Sequence, residues 1–133
     1  MERLEILIKG AVAAGGGFIF YWLGGLDTLL VSLTVLMVLD YATGILKAIH
    51  NKNLSSDIGR KGITKKVMSL IIVAVAFIIE DITTHALPLR EIVIMFFIAN
   101  EGISILENYA QMDGKLPAAL KNALDQLKGK VES

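Results

Sequence analysis

The chain has 133 residues, 54% of them apolar and only 20% charged, with a mean hydropathy of +0.62. A soluble domain of this size carries about 25% charged residues, so the composition points to one membrane-embedded domain. Thirteen basic residues balance thirteen acidic ones, no cysteine is present and there are two histidines. That excludes a broadly basic nucleic-acid binder, a disulfide framework, a thiol nucleophile and a cysteine-ligated metal site, and no cofactor is implied.

Crossing the hydrocarbon takes about 20 mainly apolar residues. The first uncharged run, Gly10–Leu26, is longer than the apolar core of a signal peptide, and further apolar runs follow it. Predicted spans lie near 6–25, 28–49, 64–87 and 89–109. Residues 1–113 then form a transmembrane bundle and residues 114–133 a cytoplasmic amphipathic tail. The expected fold is an all-α integral membrane protein with four transmembrane helices and both termini cytoplasmic. Charge supports that orientation. Arg3, Lys9, Lys47, Lys52, Arg60, Lys61, Lys65, Lys66, Lys115, Lys121, Lys128 and Lys130 fall on one side, with Arg90 alone on the other.

In the first span Gly10/Ala14, Ala11/Gly15 and Ala13/Gly17 sit four residues apart, so Gly10, Ala13, Ala14 and Gly17 are candidate helix-packing positions. They serve packing within the monomer or self-association between copies. Phe18, Phe20, Tyr21 and Trp22 suit an interfacial aromatic belt.

The second span carries Asp40, Thr43, Gly44 and Lys47 on one stripe. Asp40 lies about 18 Å from the outer end, too far along the axis from Lys47 for an easy direct pair. Lys47 is expected to snorkel to the inner surface.

The connection NKNLSSDIGRKGITKK reads as a cytoplasmic loop. Ser55 or Ser56 caps a short turn, Gly59 and Gly62 punctuate it, and Thr64 caps the third span. Arg60, Lys61, Lys65 and Lys66 are expected either against anionic lipid headgroups or as plain solvated charges of a positive-inside loop. Glu80 and Asp81, adjacent near the outer end of the third span, read as rim charges.

In the fourth span Asn100, Glu101, Ser104, Glu107, Asn108 and Gln111 share about a third of the helix circumference, with Gly102 on the apolar side. Lipid cannot solvate such a face, so it must meet protein or water. Glu101 falls about 18 Å from the outer end, the level of Asp40. No basic residue is expected at that depth, so one acid is protonated or water reaches both. Asp40, Thr43, Lys47, Asn100, Glu101, Ser104, Glu107 and Asn108 are therefore candidate lumen-facing residues, unless Asp40 and Glu101 serve only to hydrogen-bond across helices inside the bundle. The tail spaces Leu116, Leu120, Leu124 and Leu127 helically after Pro117, as a helix resting on the inner surface or on a partner. Asp113 and Asp125 read as solvated charges. No nucleophile elbow, metalloprotease motif or Ser/His/Asp set is present, so no enzyme is expected.

The strings LMVLDYATGILKA, LSSDIGRKGITKK, FFIANEGISILEN and GKLPAALKNALDQL, in that order, resemble the bacteriophage holin family that includes toxin-secretion holins. The matching positions are Asp40, Tyr41, Thr43, Gly44, Leu54, Ser55, Ser56, Gly59, Gly62, Lys65, Asn100, Glu101, Gly102, Glu107 and Asn108. The resemblance implies a homo-oligomeric protein of the host cytoplasmic membrane whose lesions let an endolysin, or a large toxin, cross. A four-span proton-coupled exporter is the competing class, but its first span should carry an acid, and none lies between Lys9 and Asp27. A membrane scaffold whose tail recruits a partner is a third.

Overall fold

The computed structural model describes residues 1–112 and 114–132. Asp113 lies outside the described residues, as do the side chains of Leu124, Leu127, Lys128 and Lys130. Five helices follow one another: α1 (Glu2–Trp22), α2 (Thr28–His50), α3 (Ser56–Ile82), α4 (Leu89–Ala110) and α5 (Ala118–Glu132). Helices α1, α2 and α3 are long and apolar enough to cross a membrane. Helix α4, with Arg90, Glu91, Glu101 and Glu107, is more polar, yet it packs on both α2 and α3.

The core is a three-helix bundle. Leu30, Leu33 and Met37 of α2 meet Val73 of α3 and Ile94 of α4, and Leu23 closes the same cluster. Outside it the surface is apolar: Val31, Val35 and Val38 on α2, and Ile71, Ile72, Val75 and Ile79 on α3, are all exposed. A contiguous apolar exterior of this kind suits lipid as solvent.

Helix α3 departs most from expectation. It starts eight residues before the predicted span, at Ser56, and ends at Ile82, five residues short of the predicted end. Ser55, with its side chain accepting from the Ile58 amide, caps the helix proper, and Asp57 in the first turn favours that end. The loop is therefore only 51–55, and Thr64 is an interior helical residue, not a cap. Gly59 and Gly62 are helical too. Tyr41 of α2 packs across them, and a methyl group added at either would lie 3.2–3.3 Å from its side chain.

The turns before α2 and α4 are joined at one end of the bundle. Asp27 caps α2, accepting from the Leu30 amide at 2.9 Å. Arg90, read from sequence as the one outer loop charge, is instead buried, and its guanidinium grips both Asp27 oxygens at 2.7 and 3.3 Å. It also donates to the carbonyls of Leu23 and Gly25, the latter at 2.8 Å. Gly24, with φ +87, lets the chain pass against the Arg90 side chain. Glu80 accepts from the Arg90 amide at 3.3 Å, so this supposed rim charge serves the otherwise uncapped start of α4.

Hydrogen bonding to Arg90 holds the Asp27 carboxyl below its ordinary value of 3.8. A carboxylate depressed in the fold adds stability above its unfolded pKa, and that contribution fades as pH falls through the folded one. Protection of amides near Leu30 should therefore fall in acid below about pH 4. Asp27→Asn should remove that acid limb, as hydrogen exchange would report; because Asp27 is half exposed, the change is modest.

Helix α1 stands apart from the core. None of its residues is buried, and it leans on α3 only near its end, where Phe18, Ile19 and Trp22 face Leu70 and Ala74 across an apolar groove of about 560 Å³. Helix α5 packs back against α4, with Leu116 and Lys121 beside Ile103, Leu106 and Glu107.

Candidate functional site

The site forms where α2, α3 and α4 come together about 18 Å from the Arg90 end. Asp40 is twelve residues into α2 and Glu101 twelve residues into α4, so the two helices present their acids at one level. Between them lies Lys66 of α3. Its ammonium is 2.6 Å from Asp40 Oδ2 and 3.0 Å from Glu101 Oε2. The shared depth inferred from sequence is correct, and the absence of a base at that depth is not. A third span beginning at residue 64 would leave Lys66 at a headgroup. The longer helix carries it into the bundle, where its side chain is only 14% exposed.

Asp40 collects further donors. Ser104 Oγ donates to its Oδ1 at 2.6 Å and Asn108 Nδ2 to the same atom at 3.1 Å. Asn108 also donates to Thr43 Oγ1 at 2.9 Å, while the Thr43 hydroxyl donates to the Leu39 carbonyl. Glu101 receives Lys66 alone, among the described residues. No buried side-chain polar atom among the described residues lacks a partner. Two carboxylates and one ammonium make the cluster an anion of net charge −1 when all three are ionised. A cavity of about 150 Å³ beside it, walled by Tyr41, Gly44, Lys66 and Asn108, has room for several waters.

The polar stripe of α4 is thus divided. Glu101, Ser104 and Asn108, on one edge, turn into the bundle, while Asn100 is half buried and Glu107 and Gln111 are exposed. On α2, Asp40, Thr43 and Gly44 meet α4, and Asn108 Nδ2 lies 3.8 Å from where a Gly44 Cβ would sit. Lys47 is half buried, with no acidic partner among the described residues. Gly102 is buried in α4. On α1, Gly10, Ala13, Ala14 and Gly17 are exposed, and nothing lies within 4 Å of a Cβ built at Gly10 or Gly17. These small residues do not pack within the monomer, because α1 touches α3 only through its last turns. Arg60, Lys61 and Lys65 are exposed on the opening turns of α3 rather than on a loop.

Sequence reasoning misses the place of Lys66 inside the bundle, the packing role of Tyr41 and the burial of Arg90. One signal could have found the first two. Gly59, Gly62 and Lys66 lie within 60° of each other on a helix, a smooth groove ending in a charge, once α3 is allowed to begin at Ser56.

Membrane-length apolar helices around a hydrogen-bonded ionic cluster define a small helical membrane protein. The sequence pattern of the bacteriophage holin family matches residues 17–129. The chain belongs to that family. It is 38% identical to a probable holin of Bacillus phage phi105 over 92 residues, covering 69% of this chain and 68% of that protein. It is also 38% identical over 131 residues to an uncharacterised 14.9 kDa protein from the nagH 3′ region of Clostridium perfringens, covering 98% and 99%. A Listeria monocytogenes protein, Lmo0128, is 40% identical over 121 residues, covering 91% and 86%. No solved structure matches the chain.

Proposed function

We propose that the protein is a holin, a non-enzymatic permeabiliser of the bacterial cytoplasmic membrane. Its copies assemble laterally into lesions through which an endolysin, or a large toxin, reaches the far side. In this reading α1 to α4 all cross the bilayer, both termini are cytoplasmic, and α5 lies at the inner surface. The distribution of basic residues supports the orientation. The Arg90 clasp, which holds the 23–27 turn to the start of α4, supports a common side for the two outer turns.

The observation that carries the proposal is the cluster of Asp40, Lys66, Glu101, Ser104 and Asn108 inside helices of membrane length. Ionisable groups at such depth are costly in lipid and belong against protein or water. In the monomer each helix hides the polar edge of its neighbours. Lateral assembly exchanges those internal partners for water and turns the same edges toward a lumen. The open small-residue face of α1 allows close approach between copies.

The test is induced expression in a bacterium with a co-expressed muralytic enzyme. Abrupt loss of membrane potential followed by lysis is the expected result. Growth that continues with the potential intact would refute the proposal, and depolarisation without lysis would restrict it to a small pore.

A further inference from the structure

The opening turns of α3 carry an exposed basic surface that the cluster does not use. Arg60, Lys61 and Lys65, with Asp57 and Thr64, line a shallow concavity of about 440 Å³. Asp57 pairs with Arg60, so Lys61 and Lys65 have no acidic partner among the described residues. At 100° per residue, Lys61, Thr64 and Lys65 fall on the same 100°-wide face as Met68, Ile72, Val75 and Ile79. Those four apolar residues are exposed as well. The core contacts of α3 are made by a different face, through Ser69, Val73 and Ala76.

One side of α3 is therefore cationic for its first turns and apolar beyond them. From Lys65 to Ile79 the helix rises about 21 Å, enough to cover one leaflet of a hydrocarbon core about 30 Å thick. A soluble anion would use only the cationic part and leave the apolar strip uncovered. A peptide would need its own acidic and apolar halves in this order. A phospholipid has both halves by construction: a phosphate joined to acyl chains that run along the bilayer normal.

We propose that this face of α3 binds one anionic phospholipid of the leaflet on the basic side. Lys61 and Lys65 hold the phosphate, and the acyl chains lie along Met68, Ile72 and Val75. The lipid covers the outward side of the helix whose inward side supplies Lys66, so it fixes the depth at which α3 sits. The inference rests on α3 spanning the membrane with its basic end cytoplasmic, as in the proposed function.

Native mass spectrometry of the purified full chain, titrated with phosphatidylglycerol or phosphatidylcholine, tests it. One phosphatidylglycerol per chain should bind at saturation, in preference to phosphatidylcholine. K61Q/K65Q should weaken that binding about thirtyfold. K52Q/K115Q, which removes as much charge outside the concavity, should change it less than about twofold. Equal weakening by the two variants would show diffuse attraction and overturn the site. So would equal binding of the two lipids, or displacement of the lipid by inorganic phosphate. Because binding is read on purified protein, its failure is distinct from a failure of lysis on expression, which bears on the holin reading alone.

Discussion

Replacing Lys66 by methionine is expected to destabilise the bundle by about 3 kcal/mol, the lower part of the range for removing one partner of a buried ion pair. The lower part applies because a cavity beside the cluster gives water some access. The substitution leaves Asp40 and Glu101 facing each other with no cation between them. Glu101→Gln should be far milder, within about 1 kcal/mol, because it takes the cluster from a net negative charge to a neutral Lys66–Asp40 pair and Glu101 has a single donor to lose. Asp40→Asn falls between, since Ser104 and Asn108 still have an oxygen to bond. The triple variant Lys66→Met/Asp40→Asn/Glu101→Gln, which carries no charge at all, should recover much of the loss. Unfolding in mixed micelles orders the four variants. A Glu101→Gln variant as unstable as Lys66→Met would show that the cluster is not organised around Lys66.

Gly24→Ala is expected to cost about 3 kcal/mol through two separable effects. Alanine at φ +87 carries a left-handed backbone cost of about 1–2 kcal/mol. Its methyl group would also sit 2.3 Å from Arg90 Nε, displacing a guanidinium that satisfies two carbonyls and the Asp27 carboxylate. Left buried without those partners, the guanidinium costs a further 1–3 kcal/mol. In an Arg90→Ala background the same alanine should cost the backbone part and the small shift of the Phe77 ring, whose Cδ2 lies 3.0 Å from the added methyl group. A double-mutant cycle measures the difference, and additive effects would mean that Gly24 and Arg90 are not coupled.

The parts of this architecture that were legible in the sequence are those that depend on spacing within one helix. Apolar runs located α1, α2 and α4 to within a few residues at most ends. A constant rise per residue placed Asp40 and Glu101 at one level, and Lys66 bonding both bears that out. What escaped depends on boundaries and on pairing between helices. SSDIGRKG is rich in polar and glycine residues and reads as a loop, but the Ser55 cap and the Tyr41 ring packed on Gly59 and Gly62 make it helix. That shift carried Lys66 from the surface into the bundle.

Arg90 escaped for a related reason. Its partners are main-chain carbonyls in a turn more than sixty residues away, and no local pattern announces a carbonyl as an acceptor. The polar stripe of α4 was identified correctly as a stripe. Its periodicity alone does not tell which edge faces protein, and only Glu101, Ser104 and Asn108 do so.

In the proposed lesion the polar edges gathered around Asp40, hidden in the monomer, face water. The natural chain has no cysteine, so single cysteines report accessibility without background. Ser104→Cys can be probed with a membrane-permeant maleimide before and after the onset of depolarisation, with a cysteine at exposed Lys52 as the reference. The reference is expected to react at both times and position 104 only after onset. Full labelling of position 104 before onset, or its continued protection once lesions have formed, would contradict the proposed lesion.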